Sequence, residues 1–215
     1  MSTAKYDSQA ERWRETAYAD PRRYLRRRAE LVVGLGTPLA PGDTVLDLAC
    51  GDGAFAEELL PHGLVYLGVD ANEPMVAAAR RRLGSRASVE LADLNEFRPR
   101  EPVAATTCFR AIYYARDRRS FLRRVAGYTK KKLVFDVNPR RDSITAVAAD
   151  LRAAGFDSIE LRPFFVPQRV ALSRPLAFVL ELAEHGGPLS RLLLRFRFSY
   201  IVAASRAAFS DAQSH

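Results

Sequence analysis

The chain is poor in the residues from which disulfide frameworks, metal centres and membrane spans are built. It has two cysteines, Cys50 and Cys108, too few for a disulfide framework. Its three histidines, His62, His185 and His215, are scattered, and no spacing of Cys and His suggests a metal site. No apolar run reaches the roughly 18 residues that a membrane span needs. The opening stretch, MSTAKYDSQAERWRE, has no apolar core, so a secretory signal is not expected there. Lysine occurs only at Lys5 and at Lys130 to Lys132. No internal repeat or low-complexity segment stands out. These absences lead to the expectation of a cytoplasmic, reduced protein; oligomeric state is not legible.

What is present is ordinary for one globular domain of 215 residues: 48% hydrophobic and 27% charged. The net charge of +8 is carried mostly by arginine, and the pI is near 9.9. A basic balance of this size raises a nucleic-acid partner as a hypothesis. The clusters Arg22-Arg23, Arg26 to Arg28 and Arg80 to Arg82 fall on predicted helices, however, and read as solvated faces. No basic stripe interleaved with aromatics accompanies them, so nucleic acid is not the expected partner.

Apolar runs of strand length alternate with helical patterns. Helices are expected over 8–18 and 22–34, divided by Asp20-Pro21, a cap followed by a first-turn proline. Strands follow at 44–49, 64–70, 88–93, 103–109 and 132–138, with helices at 54–61, 73–83 opened by Asn72, 118–127, and 143–154 ending at Gly155. Such alternation specifies a parallel, doubly wound α/β sheet. The rhythm then changes. Stretches 157–167 and 196–205 read as two more strands, with helical pattern over 171–195 broken at Gly186-Gly187-Pro188, and residues 207–215 are expected to fray.

The stretch VLDLACGDGAF at 45–55 is the most informative. Val45, Leu46 and Leu48 read as a buried strand. Asp47 inside it is costly unless hydrogen bonds offset its desolvation. Gly51 and Gly53 permit a sharp turn and close approach of a ligand to the backbone, at a strand–turn–helix corner whose free N–H groups suit a polar or anionic group. Residues 51–56 also fit a G-x-G-x-x-G/A dinucleotide pattern. Against a hydride-transfer enzyme stand Asp47 within the strand and the lack of a catalytic partner among the scattered histidines. Asp70, about 20 residues past the glycines at the end of the next strand, could accept two hydrogen bonds from a ribose diol. It could also cap the 73–83 helix, a role Asn72 fills better.

These residues resemble the class I S-adenosylmethionine-dependent methyltransferases. VLDLACGDGAF is similar to that family's first motif, LGVDANEPMVAAAR at 67–80 to its second, and VELADLNEF at 89–97 to its third. The paired terminal strands match the antiparallel hairpin that separates this fold from NAD-binding relatives. The resemblance implies a Rossmann-like, mostly parallel seven-stranded sheet with an antiparallel C-terminal strand. It divides the chain into an N-terminal helical lid over 1–36, a cofactor-binding core over 37–165, a helical cap over 166–195 and a last strand over 196–206. It implies S-adenosylmethionine as cofactor, with S-adenosylhomocysteine as product. Ala49, Gly51 and Gly53 would let the backbone reach its methionine part, with Asp47 orienting the amino group. Asp70 and Ala71 would meet the ribose, Asp93 and Leu94 the adenine. Met75 would pack on the adenine or simply belong to the core. Cys108 and Phe109 would complete the wall. The family often has glycine where this chain has Ala49, a small change. Cys50 reads as packing.

The acceptor pocket would begin after strand four, at CFRAIYYARD. Arg110, Tyr113 and Tyr114 are its candidates; the tyrosines could equally pack under the next helix, and Arg110 could bind an acidic acceptor or pair with Asp117. Asn138-Pro139 is a partial match to a motif of amino-group methyltransferases, set one strand too late; Asn138 could line the pocket as a loop residue. Phe164, Phe165, Leu176, Phe178, Leu182, Leu192 and Leu193 make the cap apolar, and most are expected to pack in its core, with some facing an apolar acceptor. His185 is the histidine to test as a base, and Tyr6 and Trp13 could fold over the cofactor. The expectation is O-methylation of a small apolar or aromatic acceptor by direct in-line transfer. The alternatives are methylation of RNA and a non-catalytic cofactor-binding relative.

Overall fold

The computed structural model describes residues 17–193 and 198–206. Tyr6, Trp13, nearly all of the expected first helix and the tail 207–215 lie outside them. The described chain runs α1 (Pro21–Gly34), β1 (Thr44–Leu48), α2 (Ala56–Leu59), β2 (Val65–Asp70), α3 (Glu73–Leu83), β3 (Ser88–Leu91), β4 (Val103–Cys108), α4 (Arg118–Tyr128), β5 (Thr129–Val137), α5 (Ile144–Ala153), β6 (Ser158–Phe164), α6 (Arg174–Ala183), α7 (Pro188–Leu193) and β7 (Ser199–Ser205).

The seven strands form one sheet in the order β3-β2-β1-β4-β5-β7-β6. β1 to β5 pair in parallel, and β7 runs antiparallel to both β5 and β6. The order turns back at β1 and β4, so the carboxyl ends of those strands open a crevice of the kind that holds ligands in doubly wound sheets. Alternate residues of each strand supply opposite faces. Val45 packs with Tyr24 and Leu25 of α1 and Val76 and Ala79 of α3. Leu46 and Leu48 pack with Phe121 and Leu122 of α4 and Leu151 of α5. The helices therefore cover both sides, which is why β1 and β4 are buried along nearly their whole length.

Local chemistry sets the helix boundaries. Asp20 accepts from the Arg23 N–H at 3.1 Å with Pro21 in the first turn, and Asn72 accepts from the Met75 N–H at 3.0 Å. The helix expected over 54–61 is shorter, four residues of α2 and a tight 3-10 turn containing Pro61. β5 is longer than expected, because Thr129 to Lys131 join it. Lys132, on that strand, is buried, and its ammonium donates to the carbonyls of Val33 and Leu35 at 3.2 and 2.6 Å, closing the end of α1.

The arginine clusters are not merely solvated faces. Arg23 pairs with Glu181 at 2.7 Å, and Arg27 with the buried Glu184 at 2.7 Å, tying α1 to α6 and the residue that follows it. Arg82 holds Asp52 of the glycine corner at 2.8 Å, and Arg28 is buried. The cap differs from expectation. Phe164 and Phe165 are buried, but Leu176, Phe178, Leu182 and Leu192 are exposed, with Ala177 and Ala183 as the inward face of α6. No helix among the described residues is long and apolar enough to cross a membrane.

Candidate active site

A cavity of about 780 Å³ opens at the carboxyl ends of β1, β2 and β4 and takes its walls from the loops that follow them. Asp47 answers the question its place in β1 poses. Register sets it opposite Thr107 of β4 and Gly68 of β2. The Thr107 hydroxyl donates to Oδ1 at 2.6 Å and the Tyr66 hydroxyl to Oδ2 at 2.6 Å. Burial nevertheless pushes its carboxyl up to about 6, against those hydrogen bonds and the Arg28 charge. Asp47 still lines the cavity.

Past β1 the chain turns through two left-handed residues that line the cavity. Ala49 has a φ of 62° and Gly51 a φ of 57°. An alanine there costs about 1–2 kcal/mol through its Cβ, so the exchange for glycine at Ala49 is not small in backbone terms. The Gly51 N–H donates to Asp70 Oδ2 at 2.8 Å, and the Asn72 N–H to Asp70 Oδ1 at 2.9 Å. Asp70 thus braces the glycine corner from the end of β2 rather than capping α3. Burial raises its carboxyl, opposed by the backbone donors of Asn72, Gly51 and Ala71. Each oxygen keeps acceptor capacity toward the cavity.

Asp93 lies two residues beyond the end of β3, in a loop and not on the strand. Its Oδ1 accepts from the backbone and amide nitrogens of Asn95, both at 2.8 Å, and its Oδ2 pairs with Arg116 at 3.2 Å. Against the cost of burial, these donors and the Arg116 charge hold it below the usual carboxylate range. Asn95 also receives the Arg116 N–H at 2.9 Å, so the loops after β3 and β4 are latched together along the cavity.

Ala71, Met75, Leu94, Phe109, Arg110, Tyr113 and Tyr114 all line the same space. Phe109 meets Phe55 edge to face, with ring centroids 5.4 Å apart. Tyr113 and Tyr114 lie 4.4 Å apart and are exposed on their outer side, with the Arg141 guanidinium 5.5 Å over Tyr113. Arg110 does not pair with Asp117, whose carboxylate caps α4; its guanidinium lies 5.9 Å over Tyr18.

Four expected residues fall outside the lining. Gly53 faces α3: a Cβ there would sit 3.0 Å from Ala79 Cβ and from Leu83 Cδ1, so this glycine serves helix packing. Cys108 is fully buried in the core between the sheet and α4, and burial raises both its thiol and that of Cys50. Asn138 closes its own turn, accepting from the Arg140 N–H at 3.0 Å. His185 is exposed, with Nδ1 3.2 Å from the Glu181 carbonyl. Conversely, Tyr18, Arg28, Asp52 and Asn72 line the cavity without having been expected to. Asn72 was legible as a cap. Nothing in the pattern of α1 marks Arg28 apart from its arginine neighbours.

This fold and corner define the class I methyltransferase architecture. Residues 45–132 match the family model of a methyltransferase domain. No curated protein matches the sequence. Among solved structures, the chain is similar to one from the complex of the Haloferax volcanii Trm112 methyltransferase activator with its methyltransferase (19% identity, 94% of this chain and 98% of that one, TM-score 0.67). It is similar to magnesium protoporphyrin IX methyltransferase of Synechocystis PCC 6803 with bound S-adenosylmethionine (18%, 96% and 92%, TM-score 0.64). A [4+2]-cyclase, SpnF, shares the architecture as well (16%, 95% and 95%, TM-score 0.63). These likenesses define the fold, which hosts more than one chemistry.

Proposed function

We propose that the chain is an S-adenosylmethionine-dependent methyltransferase acting on oxygen of a small aromatic or apolar acceptor. The observation that carries the cofactor is Asp70. Its Oδ2 takes the Gly51 N–H of the corner and its Oδ1 the Asn72 N–H ahead of α3, and both keep acceptor capacity for the two hydroxyls of a ribose. Asp47 would take the cofactor's amino group, and Met75 and Leu94 would flank the adenine, with Asp93 at its amino edge. When bound, the cofactor supplies a methyl group on a sulfonium, activated for transfer.

The chain's own residues then position and enclose. Phe109, Tyr113 and Tyr114 offer flat surfaces on which an aromatic acceptor can lie. No histidine lines the cavity among the described residues, so positioning of acceptor against methyl group carries the rate in this reading.

Calorimetric titration with S-adenosylhomocysteine, with NADH as control, tests the cofactor. Micromolar binding of the first alone is expected, and Asp70→Ala should weaken it about tenfold or more through loss of charged hydrogen bonds. Binding of NADH alone would overturn the reading.

A further inference from the structure

Among the described residues, Arg28 forms no ion pair with a carboxylate. It is 3% exposed, on the inner face of α1, and it lines the cavity. Its guanidinium carbon lies 4.2 Å from the ring centre of Phe109 and 4.7 Å from that of Tyr24, and Nη2 donates to the Tyr24 hydroxyl at 2.8 Å. Nε is buried with no hydrogen-bond partner among the described residues. Asp47 and Asp136 are close enough to feel the charge, yet neither forms an ion pair with it among those residues. Aromatic faces hold a guanidinium in place but leave its in-plane N–H groups unsatisfied. A second cation lines the same cavity. Arg110 sits on left-handed backbone, φ 54°, with its backbone N–H held by Asp136 Oδ1 at 2.5 Å. A buried, unpaired guanidinium is costly, and the group that best offsets the cost is a planar anion with two oxygens.

We propose that Arg28, with Arg110 as second cation, forms a carboxylate-binding subsite in the cavity. The inference rests on the methyltransferase reading above. Two sources carry this chemistry: the amino-acid tail of the cofactor and an acidic acceptor.

Calorimetry on the full chain separates them. The first pair of probes is S-adenosylhomocysteine and methylthioadenosine, which keeps the adenosine and thioether without the amino-acid tail. The second pair is benzoate and benzamide, each titrated with S-adenosylhomocysteine present. The wild-type protein should favour the carboxylate-bearing member of at least one pair by about tenfold or more, the scale of one charge-assisted hydrogen bond. Arg28→Met should abolish that preference while leaving methylthioadenosine affinity intact. Loss on the first pair assigns the subsite to the cofactor tail, and loss on the second assigns it to an acidic acceptor. Arg110→Gln should reduce the same preference and serves if Arg28→Met does not fold. A wild-type protein indifferent within both pairs, or a preference that survives in Arg28→Met, overturns the subsite. Failure of the wild type to bind either thioether overturns the cofactor reading, and the subsite with it.

Discussion

Asp47 is a carboxylate whose charge burial disfavours. Its native pKa is raised to about 6 from 3.8, so the native state binds the proton more tightly than the unfolded one. The stability this proton confers is complete below about pH 4 and is lost as pH rises through 6. Two units correspond to about 3 kcal/mol, an upper figure for a carboxylate already holding two hydroxyl donors. Asp47→Asn should therefore stabilise the free protein by about 1–3 kcal/mol at pH 7.5 and by little at pH 4, while S-adenosylhomocysteine affinity falls. Denaturant titrations at the two pH values check this; equal stabilisation at both would show that charge is not the cause. The oddity was legible in the sequence, because an acid in a strand has to be satisfied. Its partners were not, because Tyr66 and Thr107 reach it only through the register of three strands. Arg28 was illegible for a related reason: the same arginine pattern covers an exposed Arg26, a paired Arg27 and a buried Arg28.

Elements were read well wherever a cap or breaker marks their ends, as at Asp20-Pro21, Asn72 and Gly155. They were misread where a side chain's destiny depends on a distant partner. The fifth strand was expected to begin at Lys132, yet Thr129 to Lys131 join it, and Lys132 points under the end of α1. The cap's apolar residues look like core, yet α6 buries only its alanines and is held to α1 by ion pairs. The glycine corner contains both kinds of outcome. Gly51 lines the cavity as expected, whereas Gly53 is where α3 packs on the corner. Gly53→Ala must fit a Cβ into 3.0 Å contacts at a φ of 72°. It should cost about 2 kcal/mol of stability, lowering Tm by about 4–8 °C for a chain of this size. S-adenosylhomocysteine should still bind once the protein is folded, and a variant of unchanged Tm that fails to bind would return Gly53 to the cofactor wall.

At the scale of the molecule, the net charge of +8 is the property that most invites a polyanionic substrate. Several of the arginines are committed within the fold. Arg23 and Arg27 hold α6 through Glu181 and Glu184, Arg82 holds the corner, Arg116 latches two loops, and Arg118 and Arg119 share Asp150 between α4 and α5. An arginine paired with a carboxylate contributes little field beyond the pair and releases no counterion when RNA approaches. The cavity carries Asp47, Asp52, Asp70 and Asp93 beside Arg28, Arg110 and Arg116, a wall of mixed charge rather than the basic track that a phosphate backbone follows. Single-stranded RNA should accordingly bind weakly, and its affinity should fall only gently with salt. A site that neutralised five phosphates would give a log–log slope of about −3.5. A measured slope shallower than about −2 would mark loose electrostatic contact with the surface, and one near −3.5 with tight binding at low salt would make RNA the acceptor.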